Sequence, residues 1–264
     1  YLGTQFDIHG GGLDLKFPHH DCEIAQCLGA SDKEPAKYWM HTNMLTVNGQ
    51  KMSKSLGNSF SPWQLISGNH EMLDRGYSPM AIRFFMLQSH YASNLDFSNE
   101  ALNGSVKGYT KLANGIRILK EIIYPRHDSL NVNAALINQI NKICDDCHSA
   151  MDDDFNTALT IGHLFNLLKK VNSLYSKQIA FTDINKATFN RMKTTLLTFT
   201  EEILGIKPEK EINGHNLLNI LLENYVEAKE SKNYKKVDSL RQRLAEEGIT
   251  VKDMKDSVGW AYNE

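Results

Sequence analysis

The chain has 264 residues, enough for more than one hydrophobic core, since single domains usually contain roughly 100–200 residues. Hydrophobic residues make up 41% and charged residues 23%, a composition typical of globular proteins, and no apolar run approaches the length of a membrane span. The formal net charge of −2 excludes a generally basic nucleic-acid binder, so any contact with nucleic acid requires local patches or shape.

The first half of the chain alternates short apolar runs with turns, which predicts an α/β region. Residues 6–8 predict a strand that leads into a His9-Gly10-Gly11-Gly12 turn. Pro18 suits the first turn of a helix that continues through Cys27. Residues 38–47 predict one buried strand that ends at the Asn48-Gly49 turn.

Helices are predicted to dominate from Ser78-Pro79, which should begin a helix that reaches His90. Ser98 should cap a long helix that ends before Pro125. Three more apolar stripes follow at helical spacing, and Gly205 stops the last. They are Ile137, Ile140, Cys144 and Cys147; Leu164, Leu167, Leu168, Val171 and Tyr175; and Phe189, Met192, Leu196, Phe199 and Ile203. Residues 208–214 predict a linker to a unit of two helices, a short strand and a Trp-bearing tail.

The cysteines indicate a reducing compartment. Cys22, Cys27, Cys144 and Cys147 are too few and too clustered for a disulfide framework, and no signal peptide is visible, so we expect a cytoplasmic protein. The sequence opens at Tyr1, on what reads as the approach to a strand, and we therefore expect an upstream half to be missing.

The most informative stretch is residues 50–58, which contains, in unbroken order, Lys51, Met52, Ser53, Lys54 and Ser55. Two lysines and two hydroxyls between a turn and a glycine offer mobile positive charge and donors to a polyphosphate. An ordinary solvated Lys/Ser loop has the same composition. The full string, however, resembles the KMSKS signature of class I aminoacyl-tRNA synthetases.

A second constellation occupies residues 18–23. On a helix His19 and Glu23 are i and i+4, so imidazole and carboxylate share a face and could bind one cation. From the spacing alone, a hydrogen-bonded His–Glu pair on the helix surface is the commoner explanation. His20 and Cys22 are expected to face elsewhere.

The stretch 6–26 closely resembles the segment that precedes the signature loop in cysteinyl-tRNA synthetases, and the resemblance continues through Trp39-Met40-His41 and residues 151–157 to Trp260. It implies an α/β plus all-α architecture. The implied domains are the C-terminal part of a Rossmann-type catalytic domain at 1–61, stem-contact helices at 62–125, a DALR-type helical bundle at 126–207 and a small mixed α/β anticodon-binding domain at 208–264.

The same resemblance implies roles for individual residues. Zinc would be held by His19 and Glu23 with two cysteines upstream; Asp21-Cys22 stands where the family usually has Glu-Asn, and Cys22 should face away from the metal. The positions beside the adenylate are His9, Gly11, Gly12, Asp14 and His41. A turn-capping carboxylate is the alternative for Asp14. Lys54 would stabilise the departing pyrophosphate, assisted by Lys51, Ser53 and Ser55.

The implied reaction is activation of L-cysteine by ATP, with Mg²⁺, followed by transfer to tRNA(Cys). Zinc would select the substrate thiolate over a serine hydroxyl, so no editing domain is needed. We expect a monomer without membrane contact. Because the family's His-Ile-Gly-His motif and two zinc cysteines lie outside this sequence, the chain alone is expected to be inactive.

In the last unit the resemblance aligns Lys229, Asp238, Asp253 and Trp260 with anticodon-reading positions. Lys229 stands where the family has an arginine, and a lysine cannot make the same bidentate contact to guanine. A solvated basic helical face is the alternative.

Three alternative functions agree less well with the sequence. Cys144-Asp145-Asp146-Cys147-His148 matches the string of c-type haem attachment, but it lies within a helical stripe and no export signal accompanies it. A mycothiol-pathway cysteine ligase would lack the unit at residues 212–264. A noncatalytic RNA-binding relative would be expected to have lost the signature string or the metal ligands, and both are present here.

Overall fold

The computed structural model describes residues 2–125, 131–207, 209, 214–246, 249–253 and 258–262, with only the backbone described at 214–219, 252 and 259–262. The chain divides into two compact units, Tyr1–Pro208 and Glu209–Glu264. The first unit contains β1 (Phe6–Gly12), α1 (Asp21–Ser31), β2 (Ala36–Thr42), β3 (Leu45–Val47), β4 (Gln50–Lys51), α2 (Pro62–Ser67), α3 (Pro79–Leu87), β5 (Leu95–Phe97), α4 (Asn99–Glu121), α5 (Ala134–Asp152), α6 (Thr157–Tyr175) and α7 (Lys186–Leu197). The second contains α8 (Gly214–Glu230), α9 (Tyr234–Glu246), β6 (Ile249–Asp253) and β7 (Val258–Tyr262).

β1 and β2 form a parallel pair that is connected through α1. Residues 6–8 form the predicted strand, but β1 continues to Gly12, so the predicted turn at the glycine run is wrong. The glycines can remain in the strand because β2 pairs with them, Gly11 opposite His41 and Gly12 opposite Thr42. The helix after the glycines begins at Asp21, later than predicted from Pro18, and a wider π-type turn at Lys16–His20 precedes it.

The predicted single strand at 38–47 is also wrong, because the chain changes sheets at Asn43. The Asn43 side chain accepts from Met44 N at 2.7 Å and donates to Ala92 O at 3.0 Å. Asparagine competes for backbone groups in this way and so interrupts a strand. β3 then joins a second sheet in the order β4-β3-β5, antiparallel to β4 and parallel to β5.

Serine caps begin the helices that follow this sheet. Ser78 accepts from Ala81 N and Ser98 from Ala101 N, as the sequence predicts, and satisfy donors that the first helical turn leaves free. α4 ends before Pro125 as expected, whereas α3 ends at Leu87, three residues earlier than predicted.

Most residues of the predicted helical stripes lie in the largest core of the first unit, but Tyr175 and Ile203, which end two of the stripes, are exposed. α4, α5, α6 and α7 pack together, with Ile140, Leu164 and Met192 buried at their centre. Cys144 and Cys147 are buried in the same core, and burial raises the pKa of the Cys147 thiol to about 12. The cysteines therefore pack as apolar side chains, as the helical stripe predicts, and do not form an accessible site for haem attachment. A π-type helix at Thr198–Ile203 continues α7, and Gly205, at φ +63°, follows it as predicted.

The second unit packs α8 and α9 against the antiparallel hairpin β6–β7 around Tyr225. Its two predicted helices and first strand are confirmed, while the predicted Trp-bearing tail is the strand β7. Of the predicted linker, residues 208 and 210–213 lie outside the described part of the chain. No described helix has both the length and the apolar content to cross a bilayer.

Candidate functional site

Three potential metal ligands from distant positions meet between β1 and the start of α1. They are His9 on β1, His20 at the end of the π-type turn, and Glu23 in the first turn of α1. One ligand atom from each lies within 4.8 Å of the others, and His9 Nε2 is 3.4 Å from Glu23 Oε2. Among the described residues this is the one group of three or more histidine, cysteine or acidic side chains with such spacing.

His20 is the buried member of this group, with 4% of its surface exposed. Its Nδ1 lies 2.9 Å from His41 Nε2, so one ring donates and the other accepts. Trp39 packs beside them, with ring centroids 4.6 Å from His9 and 5.0 Å from His20. Trp39 Nε1 is buried and has no hydrogen-bond partner among the described residues, which leaves a donor at the wall of the site.

The surroundings of His41 disfavour the charged form of its imidazole. Desolvation lowers its pKa below the ordinary histidine value, and the positive charges that His20, Lys16 and His9 can carry act in the same direction. A neutral His41 can share a single proton with His20, whereas two imidazolium rings would both be donors and repel. The hydrogen bond therefore orients both rings, and a ring nitrogen of His20 lies within 4.8 Å of a ligand atom of His9 and of Glu23.

The geometry corrects one expectation about the helix faces. His20 and Glu23 are i and i+3, a spacing that also places side chains on one helix face, so the expectation that His20 faces elsewhere is wrong. His19 is exposed and lies outside the three-ligand group. Cys22 is exposed as well and is not part of it, in line with the expected orientation away from the ligands.

Gly11 and Gly12 have a structural function within the chain itself. A Cβ on Gly11 would lie 2.7 Å from Cε1 and 3.0 Å from Nε2 of His20, and a Cβ on Gly12 would collide with the carboxylate of Asp14. Asp14 is exposed on the 3-10 turn Leu13–Leu15. The glycines therefore make room for two polar side chains at the carboxyl end of β1.

An open cavity of about 890 Å³ adjoins the glycine run. Thr42, Asn43 and Phe155 contribute to its lining together with Gly10, Gly11 and Gly12. Phe155 follows Asp154 in a turn where both residues have φ +54°, a backbone conformation that is unfavourable for residues other than glycine. Tyr91 Oη donates to Asp154 Oδ1 at 2.6 Å, which holds this turn against the segment after α3. The sequence did not single out Phe155 or Tyr91.

The signature loop (residues 51–58) begins at the end of β4. Lys51 is the last residue of β4, and Lys54 and Ser55 are exposed. The hydroxyls of Ser53 and Ser55 lie 3.1 Å apart, and Ser53 Oγ accepts from Leu56 N at 3.2 Å. Both lysine side chains thus project from a short, internally bonded loop.

In the second unit, two of the residues predicted to contact nucleic acid bind each other. Lys229 Nζ lies 2.9 Å from Asp253 Oδ1, and Arg241 donates to Asp253 Oδ2 at 2.9 Å. The Lys229 ammonium holds the pKa of Asp253 below its usual range, assisted by the Tyr225 hydroxyl and Arg241 against partial burial. Asp238 is exposed on α9, and Trp260 lies on β7 opposite Val251. No local pattern indicated a role for Tyr225, because its Asp253 partner lies 28 residues away.

Comparison with known families assigns both parts of the first unit. Residues 1–107 match the tRNA synthetases class I (C) catalytic domain, and residues 147–207 match the DALR domain. The predicted class I catalytic part followed by a helical domain is therefore confirmed.

Individual relatives align along the whole chain. A cysteine–tRNA ligase of Cytophaga hutchinsonii is 51% identical over 264 residues, which is 100% of this chain and 53% of that protein. One from Bacteroides fragilis is 40% identical over 270 residues, again 100% of this chain and 53% of the relative. The chain thus spans about half the length of the curated relatives it matches.

Among solved structures, the ternary complex of Agrobacterium radiobacter K84 agnB2 LeuRS-tRNA-LeuAMS superposes with a TM-score of 0.51 at 18% identity. The match covers 79% of this chain and 29% of that one. At 18% sequence identity, this structural similarity is evidence about the fold alone.

The close packing of His20 against Gly11 predicts that alanine substitutions at Gly11 and at Gly10 differ in their effect on the His20 ring and on stability. Gly11→Ala should displace the His20 ring, remove its hydrogen bond to His41, and lower the free energy of unfolding by about 1–3 kcal/mol, as overpacking does. Gly10→Ala is the matched control, because its Cβ would meet only Met40 O at 3.9 Å. Imidazole ¹⁵N spectra and denaturant unfolding measure both effects; equal spectra for the two variants would contradict the packing argument.

Proposed function

We propose that this chain, which is homologous along its whole length to the C-terminal part of cysteine–tRNA ligases, provides the matching half of an enzyme that activates L-cysteine with ATP and transfers it to tRNA(Cys). The intact signature string, in the same compact unit as the His9, His20 and Glu23 group, is the observation that carries the proposal. Because the chain spans about half the length of its relatives, activity and partners are proposed for the whole protein.

In the first step, a carboxylate oxygen of cysteine attacks the α-phosphorus of ATP. The bond from that phosphorus to the bridging oxygen breaks, and pyrophosphate leaves; Mg²⁺ would help to neutralise its charge. In the second step a hydroxyl of the terminal adenosine of tRNA attacks the cysteinyl carbonyl, the bond from that carbonyl to the phosphate oxygen breaks, AMP leaves and the hydroxyl proton is released. Both steps move charge between oxygens, so a protein accelerates them chiefly by positioning and by stabilising charge.

Lys54 is proposed to stabilise the charge that grows on the leaving pyrophosphate. Its side chain is exposed on the signature loop, where an ammonium group on a flexible stem can follow a moving phosphate. Lys51, at the end of β4, adds a second positive charge, and the hydroxyls of Ser53 and Ser55 add donors. No described ion pair involves Lys51 or Lys54, so neither charge is already neutralised by a described carboxylate.

The adenylate is proposed to bind at the carboxyl ends of β1 and β2. Gly11 and Gly12 present bare backbone there, and the adjoining cavity of about 890 Å³ has room for a nucleoside. Asp14 is exposed beside this edge and can accept hydrogen bonds from ribose hydroxyls. His9 and His41 lie on the neighbouring strands, with His9 also facing Glu23.

The side chains at the start of α1 suit a zinc ion. Two imidazoles and a carboxylate that converge within 4.8 Å form a donor set of the type found in zinc sites with an open position. Glu23 belongs both to this group and to the predicted His19–Glu23 pair, and we propose it as a zinc ligand. His19 stays the ligand that the resemblance implies, while His20 is the histidine of the pair that lies in the three-residue group. Zinc bound there would coordinate the thiolate of cysteine and reject the hydroxyl of serine. Trp39 and His41 would wall the pocket and limit the entry of water.

The helical domain and the second unit are proposed to bind tRNA. Lys229, Asp238, Asp253 and Trp260 are the proposed anticodon contacts. The lowered pKa keeps Asp253 ionised, and its carboxylate binds both Lys229 and Arg241. These two cationic side chains are therefore held next to each other on the second unit. Of these two, Arg241 has the planar fork that recognises guanine bidentately.

Substitution of Lys54 tests the activation step. In the whole protein, Lys54→Ala should slow cysteine-dependent ATP–pyrophosphate exchange by roughly 100–1,000-fold, the usual loss for one donor to a developing oxyanion, with the KM for cysteine little changed. Lys33→Ala, at an exposed lysine outside the loop, is the control and should leave the exchange rate unaltered. An unaltered rate in Lys54→Ala would refute the proposed role.

Substitution of Glu23 tests the metal. Glu23→Gln keeps the shape but removes the charge, and zinc affinity should fall by more than the ~10–100-fold that loss of a ligand's hydrogen-bond partner costs. Competition against a chromophoric chelator measures that affinity without an activity assay. Glu34→Gln, at an exposed glutamate before β2, should bind zinc normally. Unchanged affinity in Glu23→Gln would remove Glu23 from the ligand set.

A further inference from the structure

Asn58 is a buried polar residue at the end of an exposed loop. Only 4% of its surface is accessible, whereas Lys51, Lys54 and Leu56 of the same loop are exposed. Burying a primary amide costs free energy unless its donor and its acceptor both find partners. The partners of Asn58 therefore indicate why an asparagine stands there.

The two partners of Asn58 are backbone groups on either side of Met52. Ser53 N donates to Asn58 Oδ1 at 2.8 Å, and Asn58 Nδ2 donates to Lys51 O at 3.1 Å. A peptide N–H can only donate and a carbonyl can only accept, so these partners fix the orientation of the amide. The arrangement reproduces the bonding of a parallel strand, in which one residue bonds to the groups on either side of its partner.

The loop is thereby closed between two anchors in one hydrophobic cluster. Met52 and Phe60 both pack against the cluster that contains Val47, Tyr77 and Phe97. Between these anchors the loop is held by Asn58, by the Ser53 hydroxyl, and by a bond of 3.2 Å from Gly57 N to Lys54 O. Gly57 has φ +67°, a conformation that a glycine adopts without strain. Asn58 is the buried side chain that joins the two ends of the exposed segment.

We infer that Asn58 is a positioning residue for the signature loop: its amide sets the backbone path around Met52, and with it the points from which Lys51 and Lys54 reach the polyphosphate. It touches neither ATP nor cysteine in this account and acts through the loop. The inference rests on the function proposed above for that loop.

Asn58→Ala in the whole protein tests the inference. Pre-steady-state bursts of adenylate formation count the active sites and give the rate per site. We expect the rate per site to fall by roughly 10–100-fold, because small misplacements of positioning groups cost up to that factor, with an unchanged KM for cysteine. Asn69→Ala, at an exposed asparagine after α2, is the matched control and should retain the wild-type rate.

Asn58→Asp tests the donor separately, because it keeps the shape of the side chain. An ionised carboxylate accepts from Ser53 N but repels Lys51 O, whereas a protonated carboxyl can donate to it. The rate of this variant relative to wild type should therefore rise as the pH falls, since burial next to a carbonyl raises a carboxyl pKa. The relative rate of Asn58→Ala should not depend on pH.

The outcomes separate this inference from the proposed function. If the wild-type protein shows no cysteine-dependent exchange, the proposed function fails whatever the variants do. If wild type is active and Asn58→Ala reacts at the wild-type rate per site, or loses only burst amplitude, Asn58 does not position the loop. Loss of the folded state in both Asn58 variants, seen by circular dichroism, or a relative rate of Asn58→Asp that stays flat with pH, would also overturn the inference.

Discussion

The parallel pairing of β1 with β2 is the contact on which the group of His9, His20 and Glu23 depends. The register sets His9 opposite Trp39 and Gly11 opposite His41. Successive side chains of a strand point to opposite faces, so a slip of one residue would move the histidines to the other face. α1 connects the two strands and delivers His20 and Glu23 to the face that carries His9. Gly11 then permits the close approach of His20 to β1.

The two halves of the proposed chemistry differ in rigidity. The histidine side is packed and hydrogen-bonded, since His20 is buried and its ring is bonded to His41. Lys51 ends β4, and Lys54 lies on an exposed loop that Met52, Phe60 and Asn58 anchor at its ends. A rigid pocket suits recognition of a small side chain, whereas mobile charge suits a leaving group that changes position during reaction. In the proposed function, the packed histidine side would choose the amino acid and the exposed loop would handle the phosphates.

Local patterns in the sequence predicted the parts of this molecule that local interactions determine. Ser78 and Ser98 were identified as caps because a cap bonds within its own helix, and the helical stripes were visible because their period is local. The long-range contacts were not predictable in this way. His20 joins the site through contacts with strands that lie before and after it in the chain, such as its hydrogen bond to His41. Asn43 interrupts a strand by bonding to Ala92, which is 49 residues away. The Asp253 contacts to Lys229 and Arg241 likewise join separate elements, and the roles of the site residues remain predictions.

Choice of cysteine over serine is the central claim, and ATP–pyrophosphate exchange by the zinc-loaded whole protein measures it most directly. With each amino acid varied to saturation, kcat/KM for cysteine should exceed that for serine by roughly 10,000-fold or more, the discrimination reached when a site binds a group that the competitor lacks. If kcat/KM for serine lies within about tenfold of that for cysteine, the difference in transition-state stabilisation is only ~1.4 kcal/mol. That result would contradict the proposed selection of cysteine by zinc.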